Sequence, residues 1–180
     1  MTELSPLEIL RSGVAIWNQW VNDQPAGFSA DLRSADLAHA QLAGAQLAGA
    51  DLAGARLFQA LLTLADLRDA DLSGANMSAT DMRGANLANA NLSGANMSAA
   101  DLSGANLSGA NLSGADMSET QANQATFRGA TMTHMMGYGL NLSEADLSGV
   151  DLTGTKLPMA ILADCIVDLG TIWPVKHGTG

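Results

Sequence analysis

Ala70-Asp71-Leu72-Ser73-Gly74 and Ala105-Asn106-Leu107-Ser108-Gly109 are two copies of one five-residue phrase. Outward from them, an apolar residue recurs at every fifth position from Leu32 to Ile172 with no insertion or deletion, the centre being reduced only at Ala122 and Gly137. Two residues before each centre lies a second inward slot, filled mostly by Ala from Ala30 onward. A period of five fits neither the 3.6-residue turn of a helix nor the two-residue alternation of a strand, so either element would rotate this stripe off the core. The chain must therefore turn every five residues. Gly stands two positions after many centres, as at Gly44, Gly74 and Gly104, where a tight turn needs a residue that tolerates positive φ. Asn76-Met77-Ser78-Ala79 returns as Asn96-Met97-Ser98-Ala99, and Met117-Ser118 follows at the same interval, a hint of four pentads in each polygonal coil.

These phrases resemble the A(D/N)LXX motif of the pentapeptide-repeat family. The resemblance implies an all-β solenoid, a right-handed quadrilateral β-helix with centres and small slots inside and the Asp/Asn slot outside. At the ~4.8 Å spacing of stacked strands, about seven coils make a rod roughly 35 Å long. Leu32, Leu52, Leu72, Leu92, Leu112, Met132 and Leu152 then form one interior ladder, and Leu47, Leu67, Leu87, Leu107, Phe127, Leu147 and Val167 another. Stability becomes a sum of contacts between neighbouring coils, and both open ends need covering.

Three segments follow: 1–27, an amphipathic capping helix and linker; 28–173, the β-helix; and 174–180, expected to be a flexible tail. Ser5-Pro6-Leu7-Glu8 reads as a capping box with Pro at the first helical position, and Leu7, Leu10, Val14, Trp17 and Val21 follow at helical spacing up to Pro25. The expectation is one helix laying Trp17 or Trp20 over the first coil, with a partner-binding helix as the other reading. The segment from Gly13 to Trp20 is similar to Gly-x-x-x-Trp-Asn-x-Trp segments that lead into pentapeptide repeats. At the far end Ile161, Ile166 and Leu169 fall in outward slots and Trp173-Pro174 closes the run. Such an apolar end is either a cap or the interface of a homodimer.

Two places carry outward apolar residues inside the rod. From Thr131 to Leu140, Met135 and Leu140 enlarge the small slot, Gly137 empties the centre, and Met136 and Tyr138 point outward. The coil bulges there, displays a binding spot, or has simply drifted. Phe58, Leu61 and Leu64 make a second outward cluster.

Eighteen acidic against eight basic residues give a net charge of −10, which opposes direct contact with nucleic acid or anionic lipid. No basic-then-apolar leader opens the chain and no run approaches the roughly 20 apolar residues of a membrane span, so a cytoplasmic protein is expected. The single Cys165 excludes an internal disulfide and any multi-cysteine metal site. His39, His134 and His177 lie on turns and in the tail with no carboxylate placed to orient them. No catalytic residue, cofactor or metal site is expected. Charge is the remaining candidate: Asp31, Asp51 and Asp71 would stack on one face, and Asp81 on Asp101 on another, repelling by less than about 1 kcal/mol per pair in water. The resemblance brings a sharp alternative, since some members mimic DNA and bind a type II topoisomerase. Here the ladder lapses into Asn91, Asn111 and Thr131, and only Asp101 is charged between Asn86 and Ala115. A protein-interaction module with an unidentified protein partner is therefore preferred to a topoisomerase-binding DNA mimic.

Overall fold

A computed structural model describes residues 4–174. Ser5 opens α1 (Pro6–Arg11) with the expected box: its hydroxyl accepts the Glu8 N–H at 3.4 Å, and the Glu8 carboxylate accepts the Ser5 N–H at 2.8 Å. The single helix expected up to Pro25 is divided, however. Gly13 takes φ +117°, where a side chain would be strained, and becomes the N-cap of α2 (Val14–Asn22). The apolar stripe survives the break, with Leu10 and Trp17 buried.

From Asp31 onward each pentad contributes one residue to a parallel bridge whose partner lies twenty residues later, as in Asp31↔Asp51↔Asp71↔Asn91 and Gln46↔Asp66↔Asn86. Four such columns make four faces, headed by Asp31, Asp36, Gln41 and Gln46. The backbone ladder is regular: Leu52 N–H donates to Asp71 O at 2.7 Å, and Asp71 N–H to Ala50 O at 3.0 Å. Most corners are closed within the pentad, as where Ala75 N–H donates to Leu72 O at 3.0 Å, with Gly74 at φ +62° between them. The left-handed corner persists where Gly is replaced, for example at Leu64 (φ +57°) and Glu119 (φ +60°). Each such non-glycine corner costs roughly 1–2 kcal/mol, which the stacked neighbours outweigh. The first interior ladder is buried throughout. The second is buried to Leu147, whereas its last member, Val167, is 46% exposed because no further coil covers it among the described residues.

α2 lies on the open edge of the first coil. Trp17 is fully buried and its indole N–H donates to Gln46 O at 2.7 Å. The Asn18 carboxamide donates to Gly44 O at 3.0 Å and accepts from Gln46 N–H at 2.9 Å, acting as a short piece of backbone. Two orphan groups of a strand edge are thereby paired.

The expected register fails in one place. Ile172 is not a centre: it bridges to Asp151, twenty-one residues earlier, and is exposed in an outward slot. Asp168 explains the extra residue. Its carboxylate accepts the Gly149 N–H at 2.9 Å, where one coil earlier the Ser148 carbonyl accepts from Gly129 at 2.9 Å. With a side chain standing in for the carbonyl, the backbone is free to loop, and Gly170 N–H bonds the same carboxylate oxygen at 2.9 Å. The shift brings Trp173 to the next centre position. The stretch from Thr131 to Leu140, by contrast, does not bulge: Met136 bridges to Asp116 and Lys156 in register. Buried Met135 and Leu140 fill the room left by Gly137, where an added Cβ would lie 2.9 Å from Leu157, 3.1 Å from Leu140 and 3.3 Å from Met135. Volume has been exchanged between slots, which keeps the core dense.

Candidate interaction surface

The outward Asp/Asn slot has structural work to do. Its side-chain oxygen accepts the backbone N–H two residues on, at 3.2 Å for Asp51 to Ala53, 2.9 Å for Asp71 to Ser73, and 3.3 Å for Asn91 to Ser93. Such Asx turns pre-set the corner that follows. Asp31, Asp51 and Asp71 do stack as expected, but they do not form a bare anionic stripe. Arg33 grips Asp31 through two bonds of 2.9 and 2.7 Å and reaches Asp51 at 3.5 Å. On the third face Arg83 does the same for Asp81 at 2.9 and 2.6 Å and reaches Asp101 at 3.8 Å. The Arg33 guanidinium and then its N–H lower the Asp31 carboxyl to about 2; the Arg83 guanidinium likewise lowers Asp81. For Asp71 the Ser73 N–H is the main cause. The Asp-x-Arg spacing of 31–33, 66–68 and 81–83 is in the sequence, and it announces paired charges once the turn geometry is known.

The apolar candidates separate by position. Phe58 lies on the second face beside the edge of His39, with ring centroids 5.6 Å apart, whereas Leu61 begins the third face and Leu64 sits at its corner. Met136 and Tyr138 are half exposed on the second face, one coil before the end, and Met159 is exposed at the corner beyond Lys156. Ile161 and Ile166 occupy the outward bridges of the last coil, and Leu169, Ile172 and Trp173 are exposed beside them. The terminal coil thus gathers most of the large apolar residues that the rod leaves in solvent.

No group of three or more His, Cys, Asp or Glu converges to hold a metal among the described residues. Cys165 is half buried in a small slot of the last coil. Buried Thr80, Thr120 and Thr155 donate their hydroxyls to the carbonyls of Met77, Met97 and Met132. His134 lies against Gly154, and His177 lies outside the described residues. No helix of the described residues is long and apolar enough to cross a membrane.

The bridged twenty-residue coil agrees with a match to the family profile for pentapeptide repeats over residues 28–63, 65–104, 95–133 and 138–166. The chain belongs to the pentapeptide-repeat family. Its repeats build that family's right-handed β-helix. Among solved structures, a pentapeptide repeat protein from the cyanobacterium Cyanothece 51142 is 33% identical, with a TM-score of 0.45; the match covers 63% of this chain and 63% of that one, under two thirds of its length. One from Nostoc Pcc 7120 is 30% identical over 63% of this chain and 77% of that chain, with a TM-score of 0.44. QnrB1, a plasmid-mediated fluoroquinolone resistance protein, is similar in fold, with a TM-score of 0.52, at 19% identity over 78% of this chain and 83% of that chain. A search of curated proteins finds no significant match.

Proposed function

We propose that this pentapeptide-repeat protein is a non-enzymatic interaction module of the cytoplasm. It consists of about seven coils, covered over part of the N-terminal end by the α1–α2 segment and open for association at the C-terminal coil. The observation that carries this reading is the exposed apolar group of Ile161, Ile166, Leu169, Ile172 and Trp173 around a coil that no later coil covers among the described residues. An end of this kind loses its water when a second surface closes over it. A second copy of the chain is the simplest occupant, because a two-fold axis sets the same apolar residues against themselves. Ile161 and Ile166 point outward from neighbouring faces, so Ile161→Asp and Ile166→Asp should abolish association without disturbing the core. Sedimentation velocity should give a dimer for the parent chain at micromolar concentration and a monomer for either variant, with an unchanged circular dichroism spectrum. A monomeric parent chain would refute self-association through this coil.

The DNA-mimic alternative has less support from the surface. Arg33 and Arg83 bridge the two aspartate ladders, and a duplex-like field requires unpaired charge continuing through the middle of the rod. A supercoiling assay with purified gyrase is the matching test. Inhibition or protection at stoichiometric protein would reverse the order of the two readings.

A further inference from the structure

A cleft of about 710 Å³ lies between the α1–α2 elbow and the second and third faces of the first coil, lined among others by Arg11, Asp36, His39, Gln41 and Arg56. Two guanidinium groups converge in it. Arg11 donates to the Asp36 carbonyl at 2.9 Å and Arg56 to the Asp36 carboxylate at 3.3 Å. Two cations against one carboxylate leave a local positive excess on a chain of net charge −10. Arg11 forms no ion pair among the described residues, unlike Arg33, Arg68 and Arg83, which are held by carboxylates of their own pentads.

The cleft also contains an open strand edge. In later coils the residue of the outward slot uses both its N–H and its C=O on the preceding coil, as Leu61 does toward Ala40 and Leu42. At the first coil Gln46 finds substitutes in Asn18 and Trp17, and Asp36 O finds Arg11. The Gln41 N–H and C=O and the Asp36 N–H have no partner among the described residues. A residue of extended chain is the group that matches a donor and an acceptor on one side of one residue.

We propose that this cleft binds an extended, acidic peptide segment of another protein. Gln41 pairs with its backbone as a further strand, and Arg56 and Arg11 take a carboxylate side chain of the peptide. Guanidinium favours carboxylate through paired, charge-assisted bonds, and the surrounding negative charge of the rod excludes long polyanions such as nucleic acid. This site is at the opposite end from the C-terminal coil and stands independently of it.

The test is a titration of the ¹⁵N-labelled full chain with the peptide acetyl-Val-Glu-Val-Glu-Val-amide, beside the same peptide with Gln for Glu, and free glutamate. The amides of Gln41 and Asp36 should shift with the acidic peptide, and the Gln41 N–H should exchange more slowly with solvent. The Gln peptide and the variant Arg56→Gln should each weaken binding about tenfold, as loss of a charge-assisted bond implies. Because Arg11 also holds the elbow on the coil, Arg56→Gln is the deciding variant. Equal binding of the two peptides, silence at Gln41, or the same shifts from free glutamate would each overturn the proposal.

Discussion

At the N-terminal end a buried tryptophan, Trp17, donates to Gln46 O, and Asn18 occupies a neighbouring N–H and C=O of the first coil. At the C-terminal end another tryptophan, Trp173, is 42% exposed beside Ile172 and Leu169. Both ends present the same edge, a coil with a neighbour on one side only, and an uncovered edge invites pairing with other chains. A solenoid whose N-terminal edge is largely covered and whose C-terminal edge is bare favours pairing of two bare ends over further growth, because the pair leaves only the covered ends outside. If both ends were open the same repeats would build filaments.

The comparison assumes that the coils between the ends act as one stack, and the largest expected effect tests this. Leu107→Asp places a carboxylate where the side chain is fully buried, at a cost of more than about 5 kcal/mol, comparable to the whole stability of a domain. The variant should lose its β-sheet circular dichroism at room temperature. A folded Leu107→Asp protein would mean that the coils do not depend on one another.

The same substitution made at each end then measures the contrast directly. Trp17→Ala removes a buried ring and its bond to Gln46 and should cost about 3–5 kcal/mol. Trp173→Ala should cost under about 1 kcal/mol in the monomer. Urea unfolding of the two variants at one protein concentration compares them, and equal losses would erase the distinction between the ends. A smaller effect is expected at Asn18→Ala, which leaves two edge groups without the carboxamide: about 1–3 kcal/mol. It should also produce species larger than dimer in light scattering, since the Gln46 N–H is then bare as well and the second edge is open over a longer stretch.

These contrasts were unequally legible in the sequence. The period of five and the small slot dictated the coil, and the ladders from Leu32 and Leu47 fall where the spacing put them. Leu7, Leu10, Val14, Trp17 and Val21 marked the helical face, but the division at Gly13 depended on a φ of +117° that no spacing records. The role of Asn18 was hidden for a related reason: it bonds groups twenty-six and twenty-eight residues away. The aspartates looked like free surface charge because their partners, a backbone N–H and an Arg two residues on, become neighbours only once the corner has formed. Ile172 kept the period in sequence and lost it in space, since a carboxylate at Asp168 can replace a carbonyl without altering the apolar count.

That carboxylate gives the mildest prediction, and it concerns how firmly the open end is held. Asp168 accepts from Gly149 N–H, Gly170 N–H and the Thr171 hydroxyl, and these bonds, Gly149 foremost, hold its carboxyl below the ordinary carboxylate range. A depressed folded value means that the contribution is complete above the unfolded value of about 3.9 and is lost as pH falls through the folded one. The final turn should therefore be insensitive from neutrality to about pH 5 and begin to loosen below about pH 4. Amide exchange of 166–173, corrected for the intrinsic rate and compared with 106–113, should show the loss of protection at the end alone. Asp168→Asn keeps an acceptor oxygen but cannot titrate, so its end should be looser at neutral pH and lack the acid step. If that variant retained the step, the open coil would be fastened by something other than this carboxylate, and the slip in register at Ile172 would need a different cause.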